Sequence, residues 1–175
     1  KNKQSRGHIV KNFLMSDSAP YNYLVALQKE RKQYAGFNVI VGNQENICYY
    51  SNVENEIKEM PAGIHGLSNH LLNTPWPKVE KGKQKLQSLI KNNHVTPDAL
   101  FHLLADKELA PTDELPNTGV PLEIEKQLSS IFIKMDGYGT RSSTVILIDK
   151  DGTVSFWERT FPDEKEIKYE FHIQK

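Results

Sequence analysis

Apolar positions recur along this chain with two periods, helical spacing in some stretches and alternation in others, and the switches between them lay out the elements. Ile9, Val10, Phe13 and Leu14 fall on one helical face, which predicts a short helix over Ser5–Met15 with Ser5 as its cap. A second helix opens at Pro20, carries Leu24, Leu27 and Arg31 on its stripe to about Tyr34, and is closed by Gly36. Phe37–Val41 is a compact β-branched run, predicting a strand buried on both faces. A turn over Gly42–Asn46 returns the chain into Ile47–Ser51, so the two runs form a hairpin. Cys48 lies mid-strand, where it reads as small core filler. Ile57–Met60 is a further short strand.

Helical spacing then resumes. Pro77–Asn92 places Val79, Leu86, Leu89 and Ile90 inward and its lysines outward as a solvated face. Thr96 caps a helix that begins at Pro97-Asp98 and presents Leu100, Phe101, Leu103 and Leu104. Asp106–Pro121, polar with three prolines and one glycine, reads as an exposed loop. One or two helical turns follow to Leu128, then a strand at Ile131–Ile133. Thr144–Ile148 and Val154–Arg159 flank a turn at Asp149–Gly152, and Ile167–Ile173 alternates strictly as the last strand. Hairpins with segregated helices give an α+β class with antiparallel sheets, read as a single domain over residues 1–175.

Between Gly63 and Val79 neither period holds. GIHGLSNHLLNTPWPKV crowds glycines, prolines, Trp76, His65 and His70 into irregular backbone that ends in a helix start, with Thr74 as cap and Pro75 and Pro77 around Trp76. Such a crossover is either punctuation, with Trp76 packing a core, or a loop that carries a site. Within it, the Ser68-Asn69 pair offers an amide that can donate to an oxyanion or hold a turn. A second cluster, Gly137–Thr144, sets Tyr138 and Arg141 among glycines and hydroxyl residues at a strand entrance. Arg141 there suits a carboxylate, either a substrate's or a structural one. His65 and His70 have no carboxylate at an obvious ligand spacing, so no metal site is assigned.

Charge narrows the function classes. Lys+Arg and Asp+Glu both number 22, so no net field draws the chain to nucleic acid or to an anionic membrane. No apolar run is long enough to span a bilayer. The single cysteine excludes an internal disulfide framework and fits a reducing, cytoplasmic setting. Phosphate-binding, dinucleotide-binding, zinc-protease and GxSxG motifs are absent from the sequence. Oligomeric state is not read from the pattern.

SRG before an apolar helix (Ser5–Leu14), YAGFNVIVG (Tyr34–Gly42), YYSN (Tyr49–Asn52), GIHGLSNHLLNTPWPKV, YGTRSSTVILID (Tyr138–Asp149) and FWER (Phe156–Arg159) occur in that order. In this the sequence resembles the Transport and Golgi organisation protein 2 family, also called the NRDE family. The resemblance implies an N-terminal segment, bearing a cysteine and an Asn-Arg-Asp-Glu motif, that this sequence lacks. It further implies a four-layer αββα sandwich similar to the N-terminal nucleophile hydrolases. Two functions follow from it. One is binding or trafficking of haem or another small hydrophobic ligand, with Ser68, His70, Trp76 and Tyr138 as ligand-binding candidates and His65, His70 or Tyr138 as axial donors. The alternative is an N-terminal-cysteine amidohydrolase of the penicillin V acylase and bile salt hydrolase type, in which Asn69 and Arg141 are the catalytic candidates and the nucleophile lies outside the chain.

Overall fold

The computed structural model describes residues 3–173, which fall into two compact units. One holds the residues up to Gly63 together with Asn69–Leu72; the other holds Ile64–Ser68 and the residues from Asn73 onward. Among the described residues there are five α-helices and eight strands in three antiparallel sheets.

The first unit begins with helix α1 (Gly7–Leu14), which buries Ile9 and half-buries Phe13, while Val10 and Leu14 are exposed. Its N-cap is Arg6, without a side-chain cap, so the cap expected of Ser5 is replaced by the Ser5 carbonyl, which accepts from His8 N at 3.2 Å. Helix α2 (Pro20–Lys29) has Pro20 in its first turn and buries Leu24 and Leu27. It stops short of the expected Tyr34: Glu30 N bonds back to Leu27 O, and the chain tightens into a 3₁₀ turn at Arg31–Gln33. Strands β1 (Asn38–Gly42), β2 (Ile47–Ser51) and β3 (Glu56–Glu59) then pair in the order β1-β2-β3.

Val39, Val41, Cys48 and Tyr50 turn one face of this sheet to Ile9, Leu24 and Leu27, making the unit's core. Tyr34, Phe37 and Tyr50 interlock edge-on there, with centroids 5.7 and 5.8 Å apart. β1 is not buried on both faces as its apolar run suggested. It is an edge strand whose Val39 and Val41 pack against α1 and α2, while Ile40, on the opposite face, is 44% exposed.

In the second unit, α3 (Pro77–Lys91) and α4 (Pro97–Leu104) are followed by α5 (Leu122–Gln127). Thr96 caps α4 as expected, its hydroxyl accepting from Ala99 N at 3.2 Å. Thr74 does not cap α3. The N-cap is Trp76, and the Thr74 carbonyl instead accepts Trp76 N at 2.7 Å.

The α3 lysines do more than solvate a face. Lys81 and Lys85 converge on Asp106 at 2.7 and 2.6 Å, and Lys78 Nζ donates to Leu128 O at 2.8 Å, while Ile90, expected inward, is exposed. The Asp106–Pro121 loop is therefore pinned. Buried Ala110 donates from its N to Ser129 Oγ at 2.8 Å, and Thr118 binds Glu125.

Strands β4 (Lys134–Met135) and β5 (Tyr138–Gly139) form a small hairpin, turned by Gly137 at φ +68°. The strand expected at Ile131–Ile133 starts at Lys134 because the preceding backbone is already used. Phe132 N donates to Asp106 O, Ser130 Oγ donates to Phe132 O, and Ile133 N donates to Thr140 Oγ1. The last sheet runs β6 (Ser142–Ile148), β7 (Thr153–Thr160) and β8 (Glu166–His172) in that order. On its inner side Val145 is buried, and Arg159 stacks on Phe101 of α4 with its guanidinium 3.9 Å from the ring centroid.

Candidate functional site

The irregular stretch 63–76 contributes to both units, and each part is held by an asparagine. In the first unit Asn38 Nδ2 donates to the His70 carbonyl at 2.8 Å. Tyr49, itself fully buried, donates its hydroxyl to Asn38 Oδ1 at 2.7 Å and accepts from Leu72 N at 3.3 Å. The backbone of 70–72 is thus fixed against the sheet, while Asn69 and His70 are themselves exposed.

In the second unit the fixing residue is Asn73, in the left-handed region at φ +59°. Its Oδ1 accepts from Gly66 N at 2.9 Å, and its own N donates to Gly66 O at 2.7 Å. Its amide nitrogen lies 3.1 Å from His65 Nδ1. Gly66 is a glycine for space: an added Cβ would lie 2.7 Å from Val79 Cγ1. Ser68 is half-buried in this unit, and Trp76 is half-buried at the entry to α3. Sequence reasoning singled out Asn69 and passed over Asn73. The signal that could have found it is asparagine's tolerance of left-handed backbone ahead of Thr74-Pro75.

Lys78 follows Trp76, with its ammonium 5.9 Å from the indole centroid. Burial pushes that ammonium below the usual lysine value, against an opposing pull from Glu125. Lys78 lines a cleft of about 270 Å³ with Pro77, Lys81, Leu109, Ala110 and Ile131. A larger cleft of about 780 Å³ is walled by Leu109, Phe132 and Met135, with Lys107, Lys134 and Asp136 around it. Phe132 packs edge-on against Phe161 at 4.8 Å, and the Lys107 ammonium lies 5.2 Å from the Phe132 centroid. Neither cleft was foreseen, because their walls come from segments far apart in the chain.

Tyr138 is exposed and stands opposite Met135 in the β4–β5 pairing, which brings it to the strand that borders the larger cleft. Arg141 is exposed immediately before β6, its carbonyl accepting from Phe161 N at 2.8 Å. Ser68, Trp76, Tyr138 and Arg141 belong to the second unit, Asn69 and His70 to the first. Cys48 is buried in the first unit's core, where burial and then Glu59 push its thiol above the usual value. Among the described residues no group of three His, Cys, Asp or Glu could hold a metal ion, and no helix is long and apolar enough to cross a membrane.

The family model described as Transport and Golgi organisation 2 matches residues 1–163. The bovine Transport and Golgi organization protein 2 homolog is 34% identical over 184 residues, covering 97% of this chain and 67% of the bovine protein. The human homolog is 33% identical, covering 98% of this chain and 69% of the human protein. The Drosophila melanogaster Transport and Golgi organization protein 2 is 27% identical over 89% of this chain. With a family match over nearly its whole length and relatives at this identity, the chain belongs to the Transport and Golgi organisation 2 family.

Proposed function

We propose that this protein binds and carries a small hydrophobic or amphipathic ligand of the haem class. The observation that supports this reading is the larger cleft, with its apolar wall of Leu109, Phe132 and Met135 and its two cations, Lys107 and Lys134. Its volume of about 780 Å³ is within the range of sites for ligands of cofactor size. The wall suits a flat or chain-like apolar body, and the ammonium groups suit a carboxylate at its edge. Met135 supplies a thioether of the type that serves as an axial donor to iron, and Tyr138, its cross-strand neighbour, supplies a phenol. Haem is cargo in this reading, and open, weak ligation is what release requires.

The same proposal takes in the four-layer αββα sandwich and a cytoplasmic setting. In its favour, the first unit lays α1 and α2 on one face of an antiparallel sheet, and the second packs α4 on β6. The amidohydrolase alternative keeps Asn69 for the oxyanion and Arg141 for the nucleophile or a carboxylate. Its nucleophile is not Cys48, which is buried mid-strand and has no free α-amino group.

Titrating haem into the protein while following the Soret band tests the carrier reading. A shifted band that saturates at micromolar haem is expected, with Lys107→Glu/Lys134→Glu and Met135→Ala variants binding about tenfold more weakly or worse. An unshifted band at micromolar protein refutes the haem reading.

A further inference from the structure

Among the described residues strand β8 is an edge of its sheet, and every one of its residues is exposed. Its hydrogen-bonding direction is fixed by the bonds that bracket it. Thr160 N donates to Lys165 O at 2.9 Å, and Ile173 N donates to Gly152 O at 3.0 Å. The register between them is unbroken, so the odd-numbered residues of β8 turn their backbone groups to β7. The even-numbered residues, Glu166, Lys168, Glu170 and His172, turn theirs to the open edge. A strand with this pattern is a template for another strand.

We infer that β8 is a self-complementary interface through which two copies of this chain pair antiparallel, about a twofold axis at Tyr169, into one continuous sheet. Charge chooses both the partner and the register. Backbone geometry allows only pairings that set even-numbered residues opposite even-numbered ones. Centred on Tyr169, each Lys168 faces Glu170 of the other copy and each Glu166 faces His172. A slip of the centre by one residue in either direction sets Lys168 against Lys168, or Glu170 against Glu170, and like charges directly opposed are unfavourable. The apolar side agrees with this choice. Ile167, Tyr169 and Phe171 are 45%, 57% and 55% exposed on one face of β8. In the chosen register Ile167 lies opposite Phe171, and the two Tyr169 rings meet at a closely spaced site without backbone bonds. The interface is isologous, and so closes at two copies.

Sedimentation equilibrium of the 175-residue chain, of Lys168→Glu, of Glu170→Lys and of an equimolar mixture of the two variants tests the inference. The unsubstituted chain is expected to dimerise in the micromolar range. Each variant alone opposes like charges at both cross-strand pairs and is expected to dissociate about tenfold more readily or worse. The mixture is expected to recover the dimer, because the carboxylate introduced at position 168 of one variant then meets the ammonium introduced at position 170 of the other. That recovery separates pairing between chains from the contact within one chain, where the Lys168 ammonium lies 3.5 Å from Glu170. A monomeric unsubstituted chain overturns the inference. So does a dimer that both variants form as well as the parent, which would assign the contact to another surface. A mixture that remains monomeric overturns it as well.

Discussion

Replacing Asp106 by asparagine removes the charge on which the second unit's loop is anchored. The carboxylate is 8% exposed and accepts from Lys81 and Lys85 at 2.7 and 2.6 Å, while its other oxygen accepts from Glu108 N at 2.8 Å. Burial alone would raise its pKa; the bonds from Lys81 and Lys85 and from the Glu108 backbone outweigh burial and hold it well below the usual carboxylate range. Charge-assisted bonds are worth roughly 1.5–3 kcal/mol each. Lys81 and Lys85 are 29% and 39% exposed, so water replaces much of what they lose. The net cost of Asp106→Asn is therefore about 2 kcal/mol at neutral pH. The sign with pH follows from the depressed folded value. The contribution is complete above the unfolded pKa, near 3.9 for aspartate, and is lost as the pH falls below it toward the folded value. Between pH 6 and pH 3 the advantage of the parent should shrink by about 1.3 kcal/mol, close to the 0.9 unit by which pH 3 lies below the unfolded pKa. Urea unfolding of both proteins at the two pH values measures it. A gap under about 0.5 kcal/mol at pH 6, or one that does not narrow at pH 3, refutes the clamp.

Two further predictions concern the irregular loop. Gly66→Ala should destabilise by about 1–3 kcal/mol in chemical unfolding, because the new methyl meets buried, stiff Val79; trimming that neighbour with Val79→Ala in the same chain should recover part of the loss. Asn73→Ala should cost about 1–3 kcal/mol through the lost Gly66 bond and the strained left-handed backbone, whereas Asn69→Ala, at an exposed position, should stay within about 0.5 kcal/mol of the parent by thermal melting.

What could be read from the sequence was local. The hairpin of β1 and β2, the Thr96 cap and the last strand, β8, each depend on residues a few positions apart, and each lies where the pattern put it, although the apolar positions of β8 are exposed like its polar ones. Failures came where a distant partner decides. The Val39-Ile40-Val41 run looks the same whether one face of its strand is covered or both, and only the packing shows that Val39 and Val41 face the core while Ile40 is exposed. The spacing of Lys81 and Lys85 shows a common helix face but not that Asp106, beyond another helix, returns to neutralise both. The larger cleft draws on Lys107, Gln127, Phe132 and Met135, whose approach no spacing rule encodes.

The stretch 63–76 shows why its role was ambiguous from sequence. A linker that merely joins elements needs no fixed backbone, and glycines with prolines describe such a linker as well as they describe a site. Here polar clips fix particular points of the backbone: Asn38 and Tyr49 hold His70 and Leu72, and Asn73 holds Gly66 beside Val79, while Ile64, Leu67, Leu71 and Leu72 are half-buried along the same stretch. Clips of this kind cost conformational entropy and add little apolar burial, so they are a poor way to stabilise a core. They are an effective way to keep exposed side chains where they are, as a binding or catalytic constellation requires. Asn69 and His70 stand exposed at a segment fixed on this pattern, and their candidacy rests on how that backbone is held.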